Sequence, residues 1–417
     1  MLYKVIKFFL AILIIYELWF KEAFDYYAVI LYGTSIIPTV LVIYDIIRNN
    51  WKIPFFSFVS MLFVYGIYSF LSGALICPDY SWFCSIMLTY FSFSMVCFDF
   101  CYVSLKVGSS EWLLNVFLVT ALLCAVHTIF FGSDYLTEVV VRTLSDHNNP
   151  NFLGQSMVVG LFALVSKQKY VIDRFWITMT IALVFLYTIL LTGSRKSLFC
   201  AFFLLLLWVV TTLRAEKGIS FRRIFIFLAI VVAITIVVLF FQKEYSGTAI
   251  SAKMEYLNSG IERRLALYQE SIRFWESSPL VGIGFAQFQI LSSFQYYSHS
   301  TYAEVLSCTG LIGVLIFFPV LFYHVCQLAR RAFRRDDEDH YDYMMCFVMM
   351  LIELILGFGQ IFIYNVLHLL ILSYLATSVG FIKQENDLDR KISYEKGRNY
   401  HLRRFLRKYH SDTTLNQ

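Results

Sequence analysis

Long apolar runs separated by short polar turns make up most of the chain. A run of roughly 20 apolar residues can cross the hydrocarbon of a bilayer as a helix, and about twelve such runs occur here. They cover 5–20, 26–47, 54–76, 81–104, 112–131, 150–166, 175–192, 196–213, 221–241, 301–328, 342–363 and 365–382, the first and sixth being short for a span. The pattern predicts an all-α polytopic membrane protein in four parts. Membrane helices fill 1–241, a long polar loop covers 242–300, further membrane helices fill 301–382, and a basic tail covers 383–417.

Within the loop the periodicity changes. Ile261, Leu265, Tyr268, Ile272 and Trp275 recur at helical spacing, with Glu262, Gln269, Glu270, Arg273 and Glu276 on other faces. This predicts an amphipathic helix whose apolar stripe can lie along a membrane surface. Pro279 and the Gly282-Ile283-Gly284 turn end it. The next apolar run is preceded by Ser298-His299-Ser300. Thr301 and Glu304 have capping-box spacing, which places His299 at the mouth of that helix. Gly310 and Gly313 leave the helix a smooth face for close packing.

Composition agrees with the membrane reading: 59% of residues are hydrophobic and 15% charged, far from a soluble domain. With the N-terminus inside, Lys4, Lys7, Arg48, Lys52, Lys106, Lys167, Lys169 and Arg174 fall in inside turns. Lys21, Arg142, Arg195 and Lys196 are the cations of the short outside loops. That bias predicts N-in, C-in topology. The basic start lacks a small-residue cleavage site and reads as a retained first span. The tail, with HLRRFLRKYH near its end, reads as a cytoplasmic anchor for anionic lipid. Cys77 and Cys84 could pair across a turn, but an odd total of 9 cysteines without CxxC spacing argues against a disulfide scaffold or a zinc site. No phosphate-binding glycine loop of the nucleotide-binding type occurs.

Chemistry-bearing residues gather in the outside loops. The turn Asp146-His147-Asn148-Asn149-Pro150-Asn151, followed by Gly154 and Gln155, offers donors and acceptors suited to sugar hydroxyls, and equally suited to a plain turn. Pro150 fits the first turn of the sixth span. In Thr192-Gly193-Ser194-Arg195-Lys196, Ser194 can cap the next helix and set Arg195 in its first turn. A cation there is unfavourable unless an anion arrives, and free N–H groups with a guanidinium suit a phosphate. Asp99 lies near the inner end of its span, within snorkelling reach of water. Glu353 lies near the middle of the eleventh span, as a functional group or a carboxylate paired to fix packing.

Three of these segments resemble the O-antigen ligase and Wzy-type polysaccharide polymerase superfamily. His299-Ser300 followed, after residues 301–309, by Gly310-Leu311-Ile312-Gly313 is similar to its histidine motif. Arg264 through Tyr268 to Pro279-Leu280-Val281-Gly282-Ile283-Gly284 resembles its R…W…PLxGxG segment, with Tyr268 in place of the usual tryptophan. Thr192-Gly193-Ser194-Arg195 resembles its TGSR turn, and Asn149-Pro150-Asn151 is a looser match. The resemblance implies a GT-C type fold of about 12 transmembrane helices and a glycosyltransferase of the cytoplasmic (inner) membrane, active on its outer face without metal or other cofactor. It implies a polyprenyl-diphosphate-linked oligosaccharide donor, membrane lipid around it, a flippase and a chain-length regulator as partners, and no nucleic acid. His299 would be catalytic, and Arg195 and Arg264 would bind the diphosphate. Arg263 is the weaker alternative, because only Arg264 has the family's spacing to Pro279. Lys196, Tyr268, Asn149, Asn151, Ser300 and Glu304 are further candidates for donor or acceptor contacts. Polymerase and ligase share this chemistry and differ in acceptor. A transporter would instead be expected to carry its charges within the helices.

Overall fold

A computed structural model describes residues 2–20, 27–49, 53–131, 150–166, 175–192, 194–215, 264–334 and 339–380, together with 225, 229 and 232. The helices are α1 Leu2–Ile15, α2 Tyr27–Arg48, α3 Ser57–Ile76, α4 Tyr80–Val107, α5 Glu111–Phe131, α6 Pro150–Val165, α7 Phe175–Thr192 and α8 Arg195–Ala215. After these come α9 (264–277), α10 Thr301–Ala332, α11 His340–Leu356 and α12 Val366–Gly380. Among the described residues there is no strand.

Each apolar run outside 221–241 holds a helix, although the eleventh is not helical throughout. Apart from 225, 229 and 232, the run 221–241 lies outside the described residues, as do the loop through 149, residues 242–263 and the tail. Among the described residues 5 helices are long and apolar enough to cross a membrane: α2, α3, α4, α5 and α10; α6, α7, α8 and α12 are shorter apolar helices. Large apolar side chains such as Phe55, Leu75, Phe130 and Phe322 point outward. In water such surface would be a liability; around a helical membrane protein it is the lipid face.

Three expectations change. The eleventh apolar run is not one helix: α11 stops at Leu356 and a loop with a single 3₁₀ turn, Phe362–Tyr364, follows. Glu353 therefore lies one turn from a helix end rather than mid-span. It is fully buried and bonded through Oε2 to His368 Nδ1 at 2.7 Å, near the start of α12. Asp99 does not reach for water. It is fully buried and accepts a 2.8 Å hydrogen bond from the Thr39 hydroxyl. Cys77 and Cys84 are free thiols.

The third change concerns α10. Gly310 does not smooth a face; it breaks the helix, with φ 62° and ψ −165°. A break leaves carbonyls on one side and N–H groups on the other without helical partners, a costly state at membrane depth. The loop segment 279–284 fills it. Ile283 N–H donates to Ser307 O at 2.9 Å and Gly284 N–H to Cys308 O at 3.0 Å. In return, Leu311 N–H donates to Pro279 O at 2.9 Å and Ile312 N–H to Leu280 O at 3.1 Å. Such an approach leaves no room for side chains: a Cβ at Gly282 would strike the Cys308 carbonyl and one at Gly310 the Leu280 carbonyl. The two glycine motifs are thus the two halves of one backbone splice. Phe285 pegs it into the bundle, packed against Tyr65, Tyr90 and Tyr364 with ring centroids 6.2, 5.5 and 5.5 Å away.

Candidate active site

The splice fixes α9 and the His299 turn at one end of the bundle, where the α3–α4 turn, the starts of α6 and α8 and the α11–α12 loop also meet. Trp82 Nε1 donates to Ala286 O at 3.0 Å and Asp79 N–H to Gln287 Oε1 at 3.2 Å, tying the loop to the α3–α4 turn. Ser292 and Ser293 hold it to α9 through Glu270. The Ser292 hydroxyl donates to Oε2 at 2.7 Å, the Ser293 N–H to Oε1 at 3.1 Å, and the Ser293 hydroxyl to Oε1. Burial pushes the Glu270 carboxyl up, but these donors outweigh it and hold its pKa below the ordinary 4.5.

The face that α9 turns toward the protein is not its apolar stripe. Leu267 and Ser271 are buried, with Phe274 packed beside them, whereas Leu265 and Ile272 are 56% and 49% exposed. Leu265 and Ile272 of the predicted stripe face outward, and a second face, with Leu267, Ser271 and Phe274, meets the protein. Trp275 Nε1 donates to Pro279 O at 3.1 Å and helps close the turn. Tyr268 reaches the α11–α12 loop, its hydroxyl donating to Phe358 O at 2.7 Å.

His299 stands in the left-handed region, φ 58°, which costs a non-glycine residue of order 1–3 kcal/mol. Its neighbours hold it there. Ser298 N–H donates to Glu304 Oε2 at 3.1 Å, and the Ser298 hydroxyl donates to Ser300 O at 3.0 Å. The helix cap is Ser300, whose Oγ accepts from Ala303 N–H at 3.4 Å, and not the expected Thr301. Thr301 bridges instead to the α11–α12 loop, donating through its hydroxyl to Gln360 O at 2.7 Å and accepting from Phe362 N–H at 3.0 Å. Glu304 reaches past the cap to Ser298, one step beyond capping-box geometry. It is 1% exposed and also accepts from the Tyr364 hydroxyl at 3.2 Å. Its carboxylate therefore acts on His299 by holding the turn.

Cations and aromatics surround that turn. The half-buried His299 ring lies 4.4 Å from Tyr297 and 6.1 Å from Tyr296, centroid to centroid. Burial pushes the Tyr297 phenol up, as do the nearby Tyr296 and Glu304, while Arg264 pulls it down; the net direction is up, so it stays a neutral donor at physiological pH. Arg264 is within electrostatic reach of both Tyr297 and the Lys196 ammonium. Lys196 Nζ rests on Gly359, where a Cβ would displace it. Ser194 caps α8 as expected, its Oγ accepting from Ser197 N–H at 3.4 Å, and Arg195 occupies the first turn; its side chain is not among those described. Gly154 lets α6 pack onto that start, against Ser194 and Ser197.

The structure thus brings His299, Arg264 and Lys196 to one end of the bundle, with Tyr268, Ser300 and Glu304 bracing them. Asn151 opens α6 at the same end, whereas Arg263 and Asn149 lie outside the described residues. The α11–α12 loop was missed by sequence reading because apolar residues hide it inside a continuous run. Only Gly357-Phe358-Gly359-Gln360 hinted at it. Chemically, the arrangement sets an imidazole at the same end of the bundle as the exposed Arg264 and the half-buried Lys196, groups able to take a proton and to attract an anion.

No match is found among curated proteins. Residues 180–318, which contain the start of α8, Arg264, both halves of the splice and His299, match the family model described as O-antigen ligase, and the resemblance carried by the motifs holds for this stretch.

Proposed function

We propose that the protein is a polysaccharide polymerase that joins polyprenyl-diphosphate-linked repeat units on the outer face of the cytoplasmic membrane. A sugar hydroxyl of the acceptor gives its proton to the His299 imidazole, and its oxygen attacks the anomeric carbon of the donor from the face opposite the diphosphate. The anomeric C–O bond breaks and the lipid diphosphate leaves with the electron pair, so the new linkage is inverted. Arg264, Lys196 and Arg195 hold the diphosphate and stabilise its growing charge. The observation that supports the reading is that Arg264 is within electrostatic reach of both Lys196 and Tyr297, whose ring lies 4.4 Å from that of His299. A GT-C arrangement of about 12 spans, N-in and C-in, belongs to the same proposal.

A second reading is a ligase that passes the glycan to lipid A core or another acceptor, favoured by the description of the matching family. The test is transfer by protein purified into nanodiscs and given lipid-linked repeat units alone. A ladder of longer lipid-linked glycans is expected, lost in His299→Ala and Arg264→Ala; removing a general base costs roughly 10²–10⁴-fold. Product formed only after lipid A core is added identifies the ligase. Activity that survives both substitutions refutes the site.

A further inference from the structure

The chemistry above leaves two glutamines unused. Gln155, in the second turn of α6, is 3% exposed, and its Oε1 accepts a hydrogen bond from Gln360 Nε2 in the α11–α12 loop. Two primary amides set against each other can exchange two hydrogen bonds, and this pair makes one. Gln155 Nε2 and Gln360 Oε1 are both buried and make none. Turning both amides over leaves the same remainder, one buried donor and one buried acceptor. Native proteins rarely leave such groups unmatched.

A group that donates and accepts at one oxygen, as a sugar hydroxyl or a water does, can satisfy both. A phosphate oxygen or an ammonium would serve only one of the two. The pair is also well placed. Gln155 follows Gly154, which packs on Ser194 and Ser197, and Gln360 follows Gly359, on which the Lys196 ammonium rests. The Gln360 carbonyl meanwhile holds Thr301, at 2.9 Å from its N–H and 2.7 Å from its hydroxyl, close to His299. The amides therefore lie between the cations and the histidine turn.

We propose that Gln155 and Gln360 form a carbohydrate subsite that binds a hydroxyl of the glycan on the lipid-linked donor. This rests on the donor assignment above. The test compares two lipids on nanodisc-embedded protein: undecaprenyl diphosphate, and the lipid-linked oligosaccharide extracted from cells lacking this protein. Gln155→Leu and Gln360→Leu should each weaken the glycan-bearing lipid about three- to tenfold, the size of one neutral hydrogen bond. Affinity for undecaprenyl diphosphate should not change, which also reports an intact fold. Gln155→Met, closer in length to the native side chain, is measured beside them so that a packing defect is recognised. Equal losses for both lipids in protein that melts normally, or no loss for either, overturns the subsite. Wild-type protein that binds neither lipid refutes the donor assignment instead, and the subsite with it.

Discussion

Gly282→Ala tests the splice directly. Gly282 has φ 72°, and a left-handed backbone costs an L-residue about 1–2 kcal/mol. The added methyl meets the Cys308 carbonyl and the Thr309 nitrogen, backbone atoms that cannot swing aside as a side chain would. The two strips must separate, straining the bonds of Ile283, Gly284, Leu311 and Ile312. At about 0.5–1.5 kcal/mol for each bond, and with two of them lost, the total is about 2–5 kcal/mol. Hydrogen–deuterium exchange of the nanodisc-embedded protein reads this locally. Peptides covering 279–284 and 307–313 should exchange about 30- to 5,000-fold faster, at 1.36 kcal/mol per decade. Gly33→Ala is the control, because nothing lies within 4 Å of a Cβ there; an alanine should stabilise α2 by roughly 0.5–1 kcal/mol. If Gly282→Ala leaves both peptides as protected as in the parent, the two strips do not support each other and the splice is wrong.

Gly359→Ala should push the Lys196 ammonium out of its seat while leaving the melting temperature unchanged, because the far end of a lysine can move. Glycan transfer should fall and KM for the lipid donor should rise. His368→Ala leaves the buried Glu353 carboxyl without its partner, and an unmatched buried polar group costs about 1–3 kcal/mol; thermal unfolding in detergent should show it, with Glu353→Gln/His368→Ala recovering part of the loss. Glu270 has a lowered pKa, so its support of the Ser292–Ser293 turn is complete above its ordinary 4.5 and fades as pH falls through the still lower folded value. The protection of the Ser293 amide, its exchange measured against the intrinsic rate at each pH, should fall on acidification through that window, and in Glu270→Gln this pH dependence should vanish.

The helices were legible because apolar runs of membrane length admit few other structures. Ser194 and Pro150 announced helix starts through local chemistry, and both hold those places. What the sequence hid was long-range. Gly310 reads as a packing glycine because its partner strip comes from Pro279 to Gly284, and hydrogen bonds between two backbones leave no pattern in side chains. Periodicity marked the stripe of Leu265 and Ile272 but not the face of α9 that meets the protein, where Ser271 lies inside with its hydroxyl bonded to Leu267 O at 2.9 Å. Glu353 looked mid-span because Phe358, Ile361, Phe362 and Ile363 make an irregular loop as apolar as a helix. Its partner His368 could be named only once that loop was seen to fold back. For the site, the residue types were readable, but not that Glu304 would be spent on the backbone of Ser298.

The splice also sets what can vary in this part of the chain. Its two strips meet through peptide groups that admit only glycine at 282 and 310, and packing fixes the fully buried Ser307, Cys308 and Thr309 besides. The stretch between, from Phe285 to Leu306, is pinned at both ends whatever its length, and lengthening a closed loop costs only about 0.6 kcal/mol per doubling. A lineage can thus lengthen that stretch by insertion while both of its ends stay held by the same backbone bonds.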